Sequence, residues 1–121
     1  MNLLKPVTGA RSTDDRREAM MKNQPLHPSE LQQILRECKQ RFAERYHVQK
    51  LGFFGSYARG EAGRESDVDV VFTTEKPDLL LTSAMRQDLE ERLNRRVDVI
   101  RLRETMNPRL KARIWKEAVY V

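Results

Sequence analysis

Asp67 and Asp69 flank a single valine in the stretch Ser66-Asp67-Val68-Asp69-Val70-Val71-Phe72. Side chains alternate faces along a strand, so both carboxylates point one way while Val68, Val70 and Phe72 point the other. At about 3.3 Å of rise per residue, their Cα atoms stand roughly 7 Å apart. Asp98, between Val97 and Val99 in a second β-branched run, joins the pair if the two strands are neighbours. Two carboxylates about 4 Å apart repel by ~4 kcal/mol at an effective dielectric of ~20. A cluster of three therefore calls for a cation, and an all-oxygen ligand set suits Mg²⁺ or Mn²⁺.

Gly55-Ser56 lies upstream, with ten residues between Ser56 and Asp67. Gly55 lets the backbone approach a ligand closely. Ser56 is expected to cap a short helix beginning at Tyr57, and the unpaired amides at such a helix start attract phosphate. Arg59 and Arg64 add positive charge to the same stretch. The spacing Gly55 to Gly60 matches that of a P-loop, but Glu61 and Ala62 stand where lysine and a hydroxyl residue are required, so the cradle is of another kind. Taken alone, a strand aspartate reads as a cap or a surface residue, and Gly-Ser reads as a turn. Their conjunction with a third aspartate in a later strand points to chemistry on phosphate.

The elements that must position these residues follow from periodicity. Leu31, Ile34, Leu35, Cys38, Phe42 and Tyr46 recur on one helical face, with capping-box spacing from Ser29 to Gln32. Lys50 to Phe54 and Val68 to Thr73 read as strands. Leu81, Met85, Leu89 and Leu93 step by four along a helix that ends at Asn94-Arg95. Val97 to Leu102 is a third strand, and Asn107-Pro108 caps and starts a last helix carrying Leu110, Ile114 and Ala118. The order α-β-(short α)-β-α-β-α predicts an α/β (α+β) fold, a small mixed sheet with helices packed on it.

A chain of 121 residues suits one small domain. The net charge of +5 and pI of 9.7 allow a nucleic-acid, acidic-protein or phosphorylated partner without choosing among them. The single cysteine, Cys38, sits on an apolar helical stripe and excludes an intramolecular disulfide, which fits a cytoplasmic protein. No segment has the length of a membrane span or the pattern of a signal peptide. Residues 1–27 lack a sustained apolar period and read as an extension, flexible or with a short charged helix near Asp14 to Met21; residues 28–121 form the domain. His27 and His47 read as surface residues, with no second histidine or cysteine at metal spacing. Trp115 and Tyr120 are expected to pack the last helix on the sheet rather than anchor a partner. Tyr57 either lines the ligand pocket or packs beneath it. Arg101 to Lys116 carries six lysines or arginines against one glutamate. With no nucleic-acid-binding fold beside it, that run reads as a solvated face, and direct nucleic-acid binding is not expected.

Gly55-Ser56, the ten-residue gap and Asp67-Val68-Asp69 resemble the signature of the DNA polymerase beta nucleotidyltransferase superfamily. The segments GSYARGE and SDVDVVF, with Arg96-Val97-Asp98-Val99 and the closing Glu117-Ala118-Val119-Tyr120-Val121, resemble its minimal nucleotidyltransferase branch, the MntA-like antitoxins. The resemblance covers residues 28–121 and implies a palm-like fold. It also implies two Mg²⁺ ions held by Asp67, Asp69 and Asp98, with Asp98 helping to deprotonate the acceptor. Gly55 and Ser56, with Arg59, would bind the phosphates of ATP. The implied reaction is transfer of AMP to a tyrosine hydroxyl of a partner HEPN ribonuclease toxin. No residue pattern reads the base, so ATP follows from the resemblance alone. Two alternatives stand beside it: an antitoxin that neutralises its partner by binding without catalysis, and a nucleotidyltransferase acting on a small molecule such as an antibiotic.

Overall fold

The computed structural model describes residues 26–121; the candidate helix near Asp14 to Met21 lies outside the described residues. Helix α1 spans Pro28–Tyr46 and buries Leu31, Leu35, Cys38, Phe42 and Tyr46, the stripe expected from periodicity. Its cap differs from expectation. The ring Nδ1 of His27 accepts the Ser29 N–H at 3.1 Å, and Glu30 Oε1 accepts the His27 N–H at 3.1 Å. The capping box is thus His27–Glu30, not Ser29–Gln32. Pro28 lacks an N–H and suits the first helical position, which moves the cap to the residue before it. Leu26, one residue further back, is buried in the core.

Strand β1 is Lys50–Phe54, and β2 is Val68–Thr73. Between them lies the single-turn helix α2, Ser56–Arg59. Helix α3, Leu79–Leu93, is capped by Asp78 and ended by Asn94 in the left-handed conformation. Strand β3 is Val97–Arg101. Helix α4, Pro108–Glu117, starts from Asn107, whose side chain accepts the N–H groups of Arg109 and Leu110 as expected. A two-residue strand β4, Val119–Tyr120, follows.

The four strands lie in the order β3-β2-β1-β4. β1 runs antiparallel to β2 and β4, while β2 and β3 are parallel. Parallel neighbours need a long crossover, which α3 provides. One sheet face carries Leu51, Phe53, Val68, Val70, Phe72 and Val97 against buried residues of α1 and α3. Across these helices, Arg41 and Arg92 both donate to Asp88, as does the Tyr46 hydroxyl at 3.2 Å. The opposite face carries Phe54 and Val71 against Ile114 of α4. β2 therefore has two kinds of residue on its second face. Val71 is sealed under α4, and Asp69, two positions earlier, lies beyond that cover.

Strand β4 and the C-terminal aromatics correct the sequence expectation. Tyr120 belongs to an edge strand paired with Gly52, and Trp115 points away from the sheet with 90% of its surface exposed. The edge strand depends on Gly52, because a Cβ there would press into the Val119 carbonyl oxygen and the Tyr120 ring. Ala118 has left the helix for an extended conformation that leads into β4.

Candidate active site

The parallel register of β2 and β3 sets the centre of the site. Asp69 is the Cα partner of Asp98, and Val68 is the partner of Val97. Side chains at paired positions share a face, so Asp69 and Asp98 stand side by side on the face that α4 leaves open. Asp67 immediately precedes β2, and its Oδ1 lies 4.0 Å from Nε of Arg96, the residue before β3. The strand adjacency on which Asp98 depended is present. Asp69 is half-buried, and burial is the main reason its carboxyl is pushed up to about 6. Repulsion from Asp98, and less from Asp67, adds to the rise, while Arg113 and Arg59 work against it.

β1 delivers the glycine turn to the other side of Asp69. Phe54 pairs with Asp69 across the antiparallel ladder, so the chain leaves the sheet at Gly55 beside that carboxylate. Gly55 has φ 75° and ψ −150°, a backbone region that side chains resist. A Cβ there would also collide with Asp69 Oδ2. The turn is thus fitted to Asp69 twice over, by conformation and by space. Ser56 does not act as expected: α2 begins at Ser56 itself, with Gly55 as N-cap and no side-chain cap hydrogen bond. The first amides of a helix have no partner within it and point out of its start.

The ten residues between turn and strand have a structural account. Gly60 closes α2 in the left-handed conformation, with φ 72°. Glu61 N–H then reaches back to the Ser56 carbonyl at 2.9 Å. A tight turn follows, in which Gly63 N–H donates to Ser66 Oγ at 2.8 Å, and Val68 N–H joins the Arg96 carbonyl at 3.0 Å. Tyr57 is buried beneath the turn, which favours packing over pocket lining. Arg64 is not gathered at the turn. It borders an open cleft of about 530 Å³ on the Asp67 side, with Arg96 and Glu90.

Arg59 is held by two carboxylates. Its Nε donates to Glu61 Oε1 at 2.9 Å, and its Nη1 donates to Glu117 Oε1 at 3.0 Å. These bonds, Glu61 first, raise its already high pKa. Glu117 is the site residue that sequence reasoning missed. The same Oε1 accepts the Gly55 N–H at 3.2 Å and lies 4.0 Å from Arg113 Nη2. A signal was present: a carboxylate in the last turn of a helix opposes the macrodipole and needs a local partner to repay it.

Among the described residues, no group of three or more histidine, cysteine, aspartate or glutamate side chains is gathered closely enough to hold a metal ion. The donor set nonetheless fits a hard cation. Asp69 and Asp98 are adjacent, all-oxygen and mutually repelling, and the absent side chain of Gly55 makes room for the Asp69 carboxylate itself.

A mixed sheet with paired carboxylates on neighbouring strands, faced by a glycine turn and a helix start, is the arrangement that the sequence resemblance to nucleotidyltransferases implied. Residues 31–121 match the nucleotidyltransferase domain family, and the chain belongs to it. The protein adenylyltransferase MntA of Thermococcus cleftensis is 37% identical over 93 residues, covering 76% of this chain and 93% of that protein. A Methanocaldococcus jannaschii protein provisionally named a protein adenylyltransferase is 34% identical over 96 residues, covering 77% of this chain and 96% of its own length. Among solved structures, one provisionally described as a minimal nucleotidyltransferase is similar with a TM-score of 0.64 at 32% identity, over 78% of this chain and 95% of that one. A toxin-antitoxin structure with AMP-PNP shares the fold, with a TM-score of 0.61 at 22% identity over 70% of this chain and 69% of that one. The resemblance to the minimal, MntA-like branch holds. No described helix is long and apolar enough to cross a membrane.

Proposed function

We propose that the chain is an Mg²⁺-dependent protein adenylyltransferase that moves AMP from ATP to a tyrosine hydroxyl of a HEPN-type toxin, and so acts as its antitoxin. The observation that carries the chemistry is the in-register pairing of Asp69 with Asp98, with Gly55 fitted against Asp69. The protein acceptor is supported by the similarity to MntA, named a protein adenylyltransferase, and the toxin partner by the shared fold with MntA-HepT toxin-antitoxin structures.

Asp67, Asp69 and Asp98 would hold the Mg²⁺ ions. When bound, the metal neutralises the triphosphate and makes the α-phosphorus more electrophilic. The Gly55-Ser56 turn would take the β and γ phosphates on the first amides of α2, while Arg59 offers Nη2 to a phosphate oxygen. The acceptor oxygen attacks the α-phosphorus, the bond to the bridging oxygen breaks, and pyrophosphate departs. Asp98, exposed on β3, would receive the acceptor proton.

Incubating the purified chain with ATP, Mg²⁺ and a HEPN-type toxin tests this reading by intact-mass spectrometry. The toxin should gain one or more adenylyl groups, and the Asp67→Asn, Asp69→Asn double variant should leave it unmodified. An unmodified toxin with folded wild-type chain would falsify the proposed activity. A toxin inhibited by the double variant would instead favour neutralisation by binding.

A further inference from the structure

We propose that Glu117 is a positioning residue for the nucleotide-phosphate site, clamping the Gly55 amide and the Arg59 guanidinium with one carboxylate oxygen. The inference rests on the proposed role of the Gly55-Ser56 turn in nucleotide binding. Tyr57 roots the middle of α2 in the core, which leaves the Gly55 peptide and the Arg59 guanidinium to be set by polar contacts. Gly55 occupies a backbone region with few intrinsic restraints, and α2 is only four residues long. An isolated single-turn helix does not hold its own geometry. Glu117 supplies the missing restraint from 62 residues away along the chain. Its Oε1 accepts the Gly55 N–H at 3.2 Å and the Arg59 Nη1–H at 3.0 Å, tying both ends of α2 to the end of α4.

Glu117 can act as a clamp because it is itself fixed. Its side chain is only 15% exposed, and Ile114, one turn earlier, is locked against Phe54 and Val71. Immediately after it the chain turns into β4. A carboxylate in the last turn of α4 is unfavourable to the helix itself. Its contacts with Gly55 and Arg59, with Arg113 nearby, give it a compensating position. The geometry has a consequence for Arg59: with Nε on Glu61 and Nη1 on Glu117, its plane is set before a ligand arrives. Preorganisation of this kind appears in ligand affinity more than in the chemical step.

Full-length wild type, Glu117→Gln and Glu117→Ala test the proposal. The amide keeps an acceptor for Gly55 N–H but loses the charge that pairs with Arg59; alanine loses both. By the worth of a charged hydrogen bond, the KM for ATP and the Kd for AMP-PNP should each rise about tenfold in Glu117→Ala, with a smaller rise in Glu117→Gln. The kcat should stay within about threefold. The Gly55 amide signal in ¹⁵N NMR spectra without nucleotide should be displaced in Glu117→Ala and remain near wild type in Glu117→Gln. Thermal melting checks that each variant folds, and Glu117→Gln serves where alanine does not. A Gly55 signal or an AMP-PNP affinity unchanged in Glu117→Ala overturns the inference, as does a loss in kcat alone. A folded wild type that binds no AMP-PNP overturns the proposed function and this inference together, whereas a binding wild type with indifferent variants overturns the inference only.

Discussion

Asp69→Asn is expected to stabilise the metal-free protein while abolishing nucleotidyl transfer. The native carboxyl is pushed from 3.8 to about 6, first by burial and then by Asp98. A folded state that binds this proton more tightly than the unfolded chain is favoured at low pH, and the advantage disappears as pH rises through the native value. Stability contributed by Asp69 therefore falls between about pH 4 and pH 6 and is flat above. At 1.36 kcal/mol per pH unit, the displacement corresponds to at most about 3 kcal/mol at pH 7.5. The group is only half-buried, so solvent screening reduces this to roughly 1 to 2 kcal/mol. Asparagine fills the same space without the charge and should recover that amount, raising Tm by roughly 5 to 10 °C for a domain of this size. The assay is thermal unfolding followed by circular dichroism in EDTA, at pH 7.5 and pH 4.5, for both proteins. The variant should gain at pH 7.5 and lose most of its advantage at pH 4.5, where the wild-type carboxyl is protonated. Adding Mg²⁺ at pH 7.5 should raise the wild-type Tm and leave the variant unmoved. A variant no more stable than wild type at pH 7.5, or one equally advantaged at both pH values, would refute the argument.

Gly55→Ala forces a side chain into a positive-φ position and into Asp69 Oδ2. It should cost about 1 to 3 kcal/mol in urea unfolding and reduce transfer at least a hundredfold; near-normal activity would mean that the turn is not fitted to Asp69 as described. Trp115→Ser should change unfolding stability by no more than about 0.5 kcal/mol, because the ring is 90% exposed. A larger loss would restore the packing role that the sequence suggested.

Local pattern and tertiary arrangement contributed differently to what could be read in advance. β1 and β2 emerged with their observed bounds because each is a short apolar run with a breaker at its end: Gly55 after the first, and Lys76-Pro77 beyond the second. The alternation in β2 placed Asp67 and Asp69 together without any knowledge of neighbours. Asp98 required one further condition, adjacency of β2 and β3, which the helical pattern between them made the natural connection. What escaped has no local signature. β4 is only two residues long, and it exists because Gly52 admits its backbone. The His27 cap depends on an imidazole nitrogen acting as acceptor, outside the usual capping residues. Val71, which alternation places on the aspartate side of β2, marks where α4 begins to cover that face.

The same distinction explains why the aspartates were legible, while Glu117 offered only the faint signal of a carboxylate in a helix's last turn. A metal-binding pair must share one strand face, so its spacing is written into consecutive residues. A residue that restrains a flexible turn does better from a separate, rigid element, since a neighbour in the turn would move with it. Glu117 meets that requirement, fixed by α4 beside the sealed Ile114 and reaching Gly55 across 62 positions of sequence. The site is thus assembled from two kinds of constraint. Short-range alternation collects the charges, and the C-terminal helix sets the turn that faces them. If that is correct, loosening the end of α4 should weaken nucleotide binding before it disturbs the carboxylates.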